Sequence, residues 1–246
     1  MLYGRGGVGK TSLAANAPGP VVFLDLDGSL DMLAGRLPPG ACALSGVVGW
    51  KDLRDALRSE AIAGCATVVL DSITRAETLA VEYTLATVKR ESGVNANSVE
   101  DYGYGKGYQH VYETMLLLFG DLDALYRAGK NIVVVAHECS ATIPNPAGPD
   151  FLRWEPRVQA PNSGKASVRN LLTEWCDHLA YLGYDMAAVV DPKKAEKPAK
   201  DIGTYERRIF LNPRGHFAAK TRSVVDSEIV YQPGGAEFWA ALLPKK

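Results

Sequence analysis

The run Gly4-Arg5-Gly6-Gly7-Val8-Gly9-Lys10-Thr11 constrains this chain more than any other stretch. It matches G-x-x-x-x-G-K-[ST] at every fixed position and lies between a short apolar stub, residues 1–3, and a helical stretch, residues 10–16. Glycines let backbone N–H groups converge on phosphate oxygens, and the positive end of the following helix adds to the attraction. Lys10 is then placed to neutralise the β- and γ-phosphates of a nucleoside triphosphate, and Thr11 to ligate its Mg²⁺. ATP and Mg²⁺ are the expected ligands, held by Gly4, Arg5, Gly6, Gly7, Val8, Gly9, Lys10, Thr11 and the neighbouring Ser12. Three residues are few for a central strand, which points to a misassigned start or a shortened chain.

The loop requires a strand before it and a helix after it, and the rest of the chain continues that alternation. Residues 21–26, 66–70 and 131–136 are apolar runs too short for helices and read as buried strands. Residues 50–63, 73–89 and 108–128 carry helical periodicity between them. Strands buried on both faces and separated by helices imply an α/β fold, a mainly parallel central sheet with helices on both faces. Beyond Glu138 the pattern changes. Residues 140–165 are rich in Pro, Asn and Gly, a loop too long for a mere connection. A helix at 168–176 follows, then strands at 178–190 and 205–211 joined by a lysine-rich loop, 191–200. Residues 217–221 and 228–231 are expected to finish the sheet as antiparallel edge strands. Residues 90–107, polar and rich in Gly and Asn, read as a mobile loop. With no internal repeat, one domain over 1–246 is expected.

Composition narrows the function classes. A hydrophobic fraction of 47% and a charged fraction of 22% are those of a soluble globular chain. No window approaches 18 uninterrupted apolar residues, and no charged leader precedes an apolar core at the N-terminus, so neither a membrane helix nor a secretory signal is expected. Cys42, Cys65, Cys139 and Cys176 show no CxxC spacing and read as reduced thiols, mostly small core residues, in a cytoplasmic protein. A net charge of −1 excludes a globally basic nucleic-acid binder; any DNA contact must come from a local patch or from several subunits stacked together.

The remaining chemistry is expected at strand ends. Asp71 closes the run Thr67-Val68-Val69-Leu70, where a carboxylate can hold the metal's water shell together with Thr11, or cap the next helix. Asp27 lies just past the end of the 21–26 strand, where ligands bind in open α/β sheets; it can orient an attacking water, or merely open an Asp-Gly turn. His137 and Glu138 end the third buried strand; His137 can sense the γ-phosphate and pass its presence to the following loop, or simply be a satisfied, partly buried histidine. A Lys-x-Arg alternation such as Lys220-Thr221-Arg222 is by itself a solvated strand face.

These pieces in this order resemble the RecA-like ATPases, most closely the compact phage and prophage single-strand annealing and recombination proteins. The resemblance covers nearly the whole chain. Asp25-Leu26-Asp27 takes the place of that family's Asp-x-Glu, which makes Asp27, shorter than the usual Glu, the catalytic carboxylate. Val69-Leu70-Asp71-Ser72 resembles its second nucleotide motif, and Val133 to Glu138 its sensor strand, with His137 where recombinases carry Gln. Lys220 and Arg222 stand where the family carries a pair that reaches the neighbouring subunit's ATP, which implies a homo-oligomer, ring or filament. The loops 90–107 and 140–165 correspond to those that line the DNA path. Lys106, Arg153, Trp154, Arg157 and Lys165 are then the candidate contacts to single-stranded DNA, phosphates meeting Lys or Arg while bases stack on Trp. The lysines at 193, 194, 197 and 200 read instead as a solvated hairpin tip. The implied function is an ATP-hydrolysing, DNA-stimulated recombination protein, in the host cytoplasm if phage-encoded. The alternatives are a helicase or translocation motor of the same superfamily, a small-molecule kinase, and a module in which ATP only switches conformation.

Overall fold

In β2 (Val21–Asp25), β4 (Thr67–Asp71) and β5 (Asn131–Ala136) alternate residues point to opposite faces, and both sets are apolar. Val22, Leu24, Val68, Leu70, Val134 and Ala136 belong to one buried cluster; Val21, Phe23, Val69, Val133 and Val135 belong to a second. Such strands need cover on both sides. The structure, a computed structural model, describes residues 1–33, 35–162, 164–189 and 200–243. One face of the sheet is covered by α2 (Trp50–Arg58), α3 (Ile73–Thr87), α4 (Lys106–Arg127) and α5 (Val168–Trp175). The other is covered by α1 (Lys10–Ala15) and α6 (Ala236–Leu242). The inward faces follow helical spacing: Trp50, Leu53 and Leu57 in α2, and Val111, Met115, Leu118, Phe119 and Leu122 in α4.

β1 (Leu2–Gly4), β3 (Ala41–Ala43), β8 (Ala180–Val189), β9 (Lys200–Phe210) and β10 (Glu228–Val230) complete the sheet, whose order is β10-β9-β8-β1-β5-β4-β2-β3. Every pair from β8 to β3 is parallel, and β9 and β10 add an antiparallel edge. This is the α/β architecture that the sequence implies. The short β1 is central, between β5 and β8, and is anchored through Tyr3. That side chain is fully buried, and its hydroxyl is shared between the carbonyls of Ala218 (2.5 Å) and Trp154 (3.1 Å). Burial pushes its pKa far up, so the phenol stays neutral and remains a donor.

Several expectations are corrected. Residues 217–221 form no strand. Phe217 is fully buried because it packs on Tyr181 and Phe210, with ring centroids 4.6 and 4.7 Å away, and the segment touches its neighbours only through isolated bridges. Much of 140–165 is not loop: β6 (Glu138–Ile143) and β7 (Phe151–Pro156) form a separate antiparallel hairpin. The 90–107 segment is not all loop: it folds into turns, a 3-10 helix at Val99–Tyr102 and the first residues of α4. Asp101 accepts the Asn97 and Ser98 N–H groups, and the Tyr102 hydroxyl donates to the Val88 carbonyl at 2.6 Å. The first long helix stops at Arg58 rather than 63, because Ser59 turns extended and its hydroxyl caps the Ala56 carbonyl. Cys65 and Cys176 are buried as expected, whereas Cys42 is exposed on β3 at the sheet edge. Lys193, Lys194 and Lys197 lie outside the described residues. Among the described residues, no helix is long and apolar enough to cross a membrane.

Candidate nucleotide site

The carboxyl ends of β1, β2, β4 and β5 converge, and each delivers part of the site. Registers Asp25↔Asp71 and Asp71↔Val135 set the ends of β2, β4 and β5 at one level. The loop after β1 needs its glycines for two different reasons. Gly4, Gly7 and Gly9 have φ of +152°, +77° and +106°, which L side chains rarely adopt. A Cβ at Gly4 would strike the Leu182 carbonyl and one at Gly9 the Tyr231 ring, whereas Gly6 and Gly7 face open space, leaving the inside of the loop accessible. Gly9 precedes α1 with no side-chain cap, so the first N–H groups of that helix are left for an anion.

Lys10 is 7% exposed, and its Nζ donates to the carbonyls of Gly4 (2.8 Å) and Arg5 (2.9 Å). The ammonium therefore bends back along the loop. Burial lowers its pKa, with the charges of Asp71, Glu138 and Asp27 acting in the opposite sense. The Thr11 hydroxyl donates to Asp71 Oδ2 at 2.7 Å. Asp71 is 3% exposed, and burial lifts its pKa to about 6, against the Thr11 hydrogen bond, which pulls it down. Ser72 caps α3 through its Oγ, which accepts the Arg75 N–H, so the capping role open to Asp71 falls to its neighbour. Thr11 and Asp71 present an adjacent hydroxyl and carboxylate. Among the described residues no three carboxylate, His or Cys side chains form a self-sufficient metal cage. The donor set therefore fits Mg²⁺ held by one or two protein oxygens and the phosphates of its nucleotide.

Asp25 and Asp27 have separate tasks. Both Asp25 oxygens are used inside the turn, accepting Ser29 N–H (3.0 Å) and Leu30 N–H (2.8 Å). Asp27 reaches His137, with Oδ2 3.2 Å from Nε2. That hydrogen bond, above all, holds the Asp27 carboxyl below its usual range, helped by Ser72 and by the charges of His137 and Arg75. It stays ionised and oriented, better suited to aligning a water than to taking its proton. Glu138 lies beside Lys10. Burial raises its pKa, while the Tyr181 hydroxyl, the Lys10 charge and the Arg5 backbone N–H draw it back.

The structure thus brings Lys10, Thr11, Asp71, Asp27 and His137 together and sends Lys220 and Arg222 elsewhere in the same chain. Lys220 Nζ donates to the Thr173 and Glu174 carbonyls (2.7 and 3.2 Å), and Arg222 pairs with Asp177 (2.5 Å). Both cations cap the end of α5. Lys220 bridges Leu179, just ahead of β8, at the sheet margin opposite the phosphate loop.

The residues expected to face DNA separate as well. Lys106 pairs with Glu91, and Arg153 is bound to the buried Glu155, Nε to Oε1 at 2.6 Å. Trp154 is 39% exposed, although its backbone N–H donates to the His216 carbonyl. Arg157 lies beside His137, and Lys165 is exposed before α5. The two long segments meet at Gln159, whose Nε2 donates to the carbonyls of Tyr108 (2.9 Å) and Ala166 (2.7 Å).

Sequence reasoning missed Tyr231. Its hydroxyl donates to the Gly9 carbonyl (3.1 Å), and the Arg207 guanidinium lies 4.5 Å from its ring centre. Trp239 likewise donates to the Leu13 carbonyl (2.9 Å). These aromatics follow short or weakly patterned elements, so only their spatial return onto α1 reveals them.

A family model described as AAA domain matches residues 1–223. The chain belongs to the AAA domain family. Its site is accordingly that of a P-loop ATPase. Among solved structures, this AAA-domain chain is similar to a KaiC-like protein from the hyperthermophilic archaeon Pyrococcus horikoshii OT3. The identity is 13% and the TM-score 0.42, over 94% of this chain and 88% of that one. No curated protein matches it.

Proposed function

We propose that this AAA-domain chain hydrolyses ATP to ADP and phosphate as an oligomer acting on single-stranded DNA, in the manner of phage recombination and annealing proteins. The observation that carries the reading is the Asp27–His137 hydrogen bond standing beside Lys10 and the Thr11–Asp71 pair. Asp27 orients water toward the terminal phosphate, and Lys10 leaves the Gly4 and Arg5 carbonyls for phosphate oxygens. Mg²⁺, when bound at Thr11 and Asp71, offsets charge developing on those oxygens. Lys220 and Arg222 act on the neighbouring subunit's nucleotide, once released from α5.

Support for the DNA part lies in the chain's own connectivity. His137 begins the segment that returns at Gln159, and Gln159 joins the 108 and 166 regions, with Lys106 and Lys165 close by in sequence. Exposed Lys165 and exposed Trp154 are of the types that suit a flexible strand, a cation for phosphate and a ring for stacking.

The test is the ATPase rate of the full chain with and without single-stranded DNA, at several protein concentrations. The expected result is a rate per subunit that rises with DNA and with concentration. A rate indifferent to DNA would sink the DNA role. Phosphate transfer to a small hydroxyl compound instead of water would turn the reading to a kinase.

A further inference from the structure

His137 closes β5 and Glu138 opens β6 without a residue between them. The hairpin returns at Pro156, paired with Glu138, so Arg157 arrives directly opposite His137. Its backbone is fixed at both ends: the N–H donates to the His137 carbonyl at 2.9 Å, and its carbonyl accepts the Thr74 hydroxyl at 3.0 Å. The same Thr74 oxygen accepts the His137 N–H at 3.1 Å. Arg157 is thereby tied to the residue that holds Asp27 by one direct main-chain bond and by a second link through the Thr74 hydroxyl.

Its side chain is treated differently from those of its neighbours. Arg153 is neutralised by Glu155, and Arg169 spends its guanidinium on the Pro156 and Val158 carbonyls and the Cys139 sulfur. Among the described residues, the exposed Arg157 guanidinium has no hydrogen-bond or ion-pair partner. Its main chain nonetheless stands at one flank of the nucleotide site, bonded to His137. The flank is that of Asp27 and His137, not the one where Tyr231 packs on Gly9.

We infer that Arg157 is a phosphate-contacting residue supplied in cis, reaching from the base of the β6–β7 hairpin to the terminal phosphate of a bound nucleoside triphosphate. The inference rests on the ATP reading of the loop and removes Arg157 from the DNA contacts that the sequence resemblance implies. A guanidinium suits the role, because it is always charged and can meet two phosphate oxygens at once.

The experiment compares Mg²⁺ complexes of ADP and of a non-hydrolysable ATP analogue by titration calorimetry on the full chain. It uses the wild type, Arg157→Ala and Arg157→Lys, with melting curves for each. Arg157→Ala is expected to weaken the triphosphate analogue about 10- to 100-fold and ADP by less than about two-fold, with Arg157→Lys recovering part of the loss. Equal weakening of both nucleotides, or of neither, overturns the inference. So does an Arg157→Ala protein that loses only single-stranded DNA while its triphosphate affinity is intact. If the alanine variant melts early, Arg157→Gln takes its place and faces the same ADP-against-triphosphate comparison. A wild type that binds neither nucleotide is a separate result: it overturns the ATP reading and, with it, this role.

Discussion

Asp71 is a buried carboxylate whose best partner in the chain is one hydroxyl. Its folded pKa of about 6 lies above the ordinary 3.8, so ionising it costs the folded state. The stability it contributes is therefore complete below the ordinary value and is lost as pH rises through about 6. Asp71→Asn keeps an oxygen for Thr11 and removes the charge. In protein free of nucleotide and metal, the variant should be more stable at about pH 8 by about 3 kcal/mol, or several degrees in Tm, and the gain should fall below about 1 kcal/mol near pH 4. Melting curves of both proteins at the two pH values check this. A gain equal at both would mean that the charge is not what is being relieved. The same variant should lose Mg²⁺-dependent nucleotide binding, the outcome expected where the charge serves the metal rather than the fold.

At the scale of elements, β7 of the hairpin carries a charged pair along its own length. Glu155 is 3% exposed and answered by Arg153. Arg153→Ala should cost about 3–5 kcal/mol in urea unfolding, because it strands a buried carboxylate, and adding Glu155→Gln should restore part of that. A residue whose task is DNA would leave stability within about 0.5 kcal/mol of wild type, so the denaturation curve decides between the two roles. The hairpin also shows what could be read from sequence. Strands such as Val21–Asp25 and Thr67–Asp71 were legible because apolar residues fill both faces, and the phosphate loop because its glycines have no substitute. β6 and β7 were hidden behind the Pro, Asn and Gly residues between them, although Cys139-Ala141-Ile143 alternates with Ser140 and Thr142 and was the available signal. Phe217 misled in the other direction. Its burial comes from packing against Tyr181 and Phe210, and a run of apolar residues does not reveal whether packing or a ladder buries it. The same limit applies to the site. Asp71, Asp27 and His137 announce themselves by ending strands, whereas Arg157, Tyr231 and Gln159 reach their places through turns that no local pattern encodes.

At the scale of the whole molecule, the proposed action of Lys220 and Arg222 on a neighbouring subunit is what would make one chain insufficient. In the single chain both are occupied at the end of α5, and neither shares the margin of the sheet that carries Lys10. If they serve a neighbour, the Arg222–Asp177 pair must open on assembly. Exchanging a surface ion pair for contact with a phosphate is favourable, since exposed pairs contribute about 0–1 kcal/mol and a charge-assisted bond to phosphate contributes more. Lys10→Ala should then remove nucleotide binding from its own site and leave its Arg222 able to serve the next. Arg222→Ala should bind nucleotide normally and fail to turn it over for its neighbour. Neither protein alone should hydrolyse ATP at more than a few per cent of the wild-type rate. Mixed in equal amounts and allowed to exchange subunits, they should regain a substantial fraction, because some interfaces then pair an intact loop with an intact Arg222. Activity no greater than the sum of the two separate proteins would assign Arg222 to the α5 cap alone. The charge at the terminal phosphate would then fall to groups within one chain, Arg157 among them.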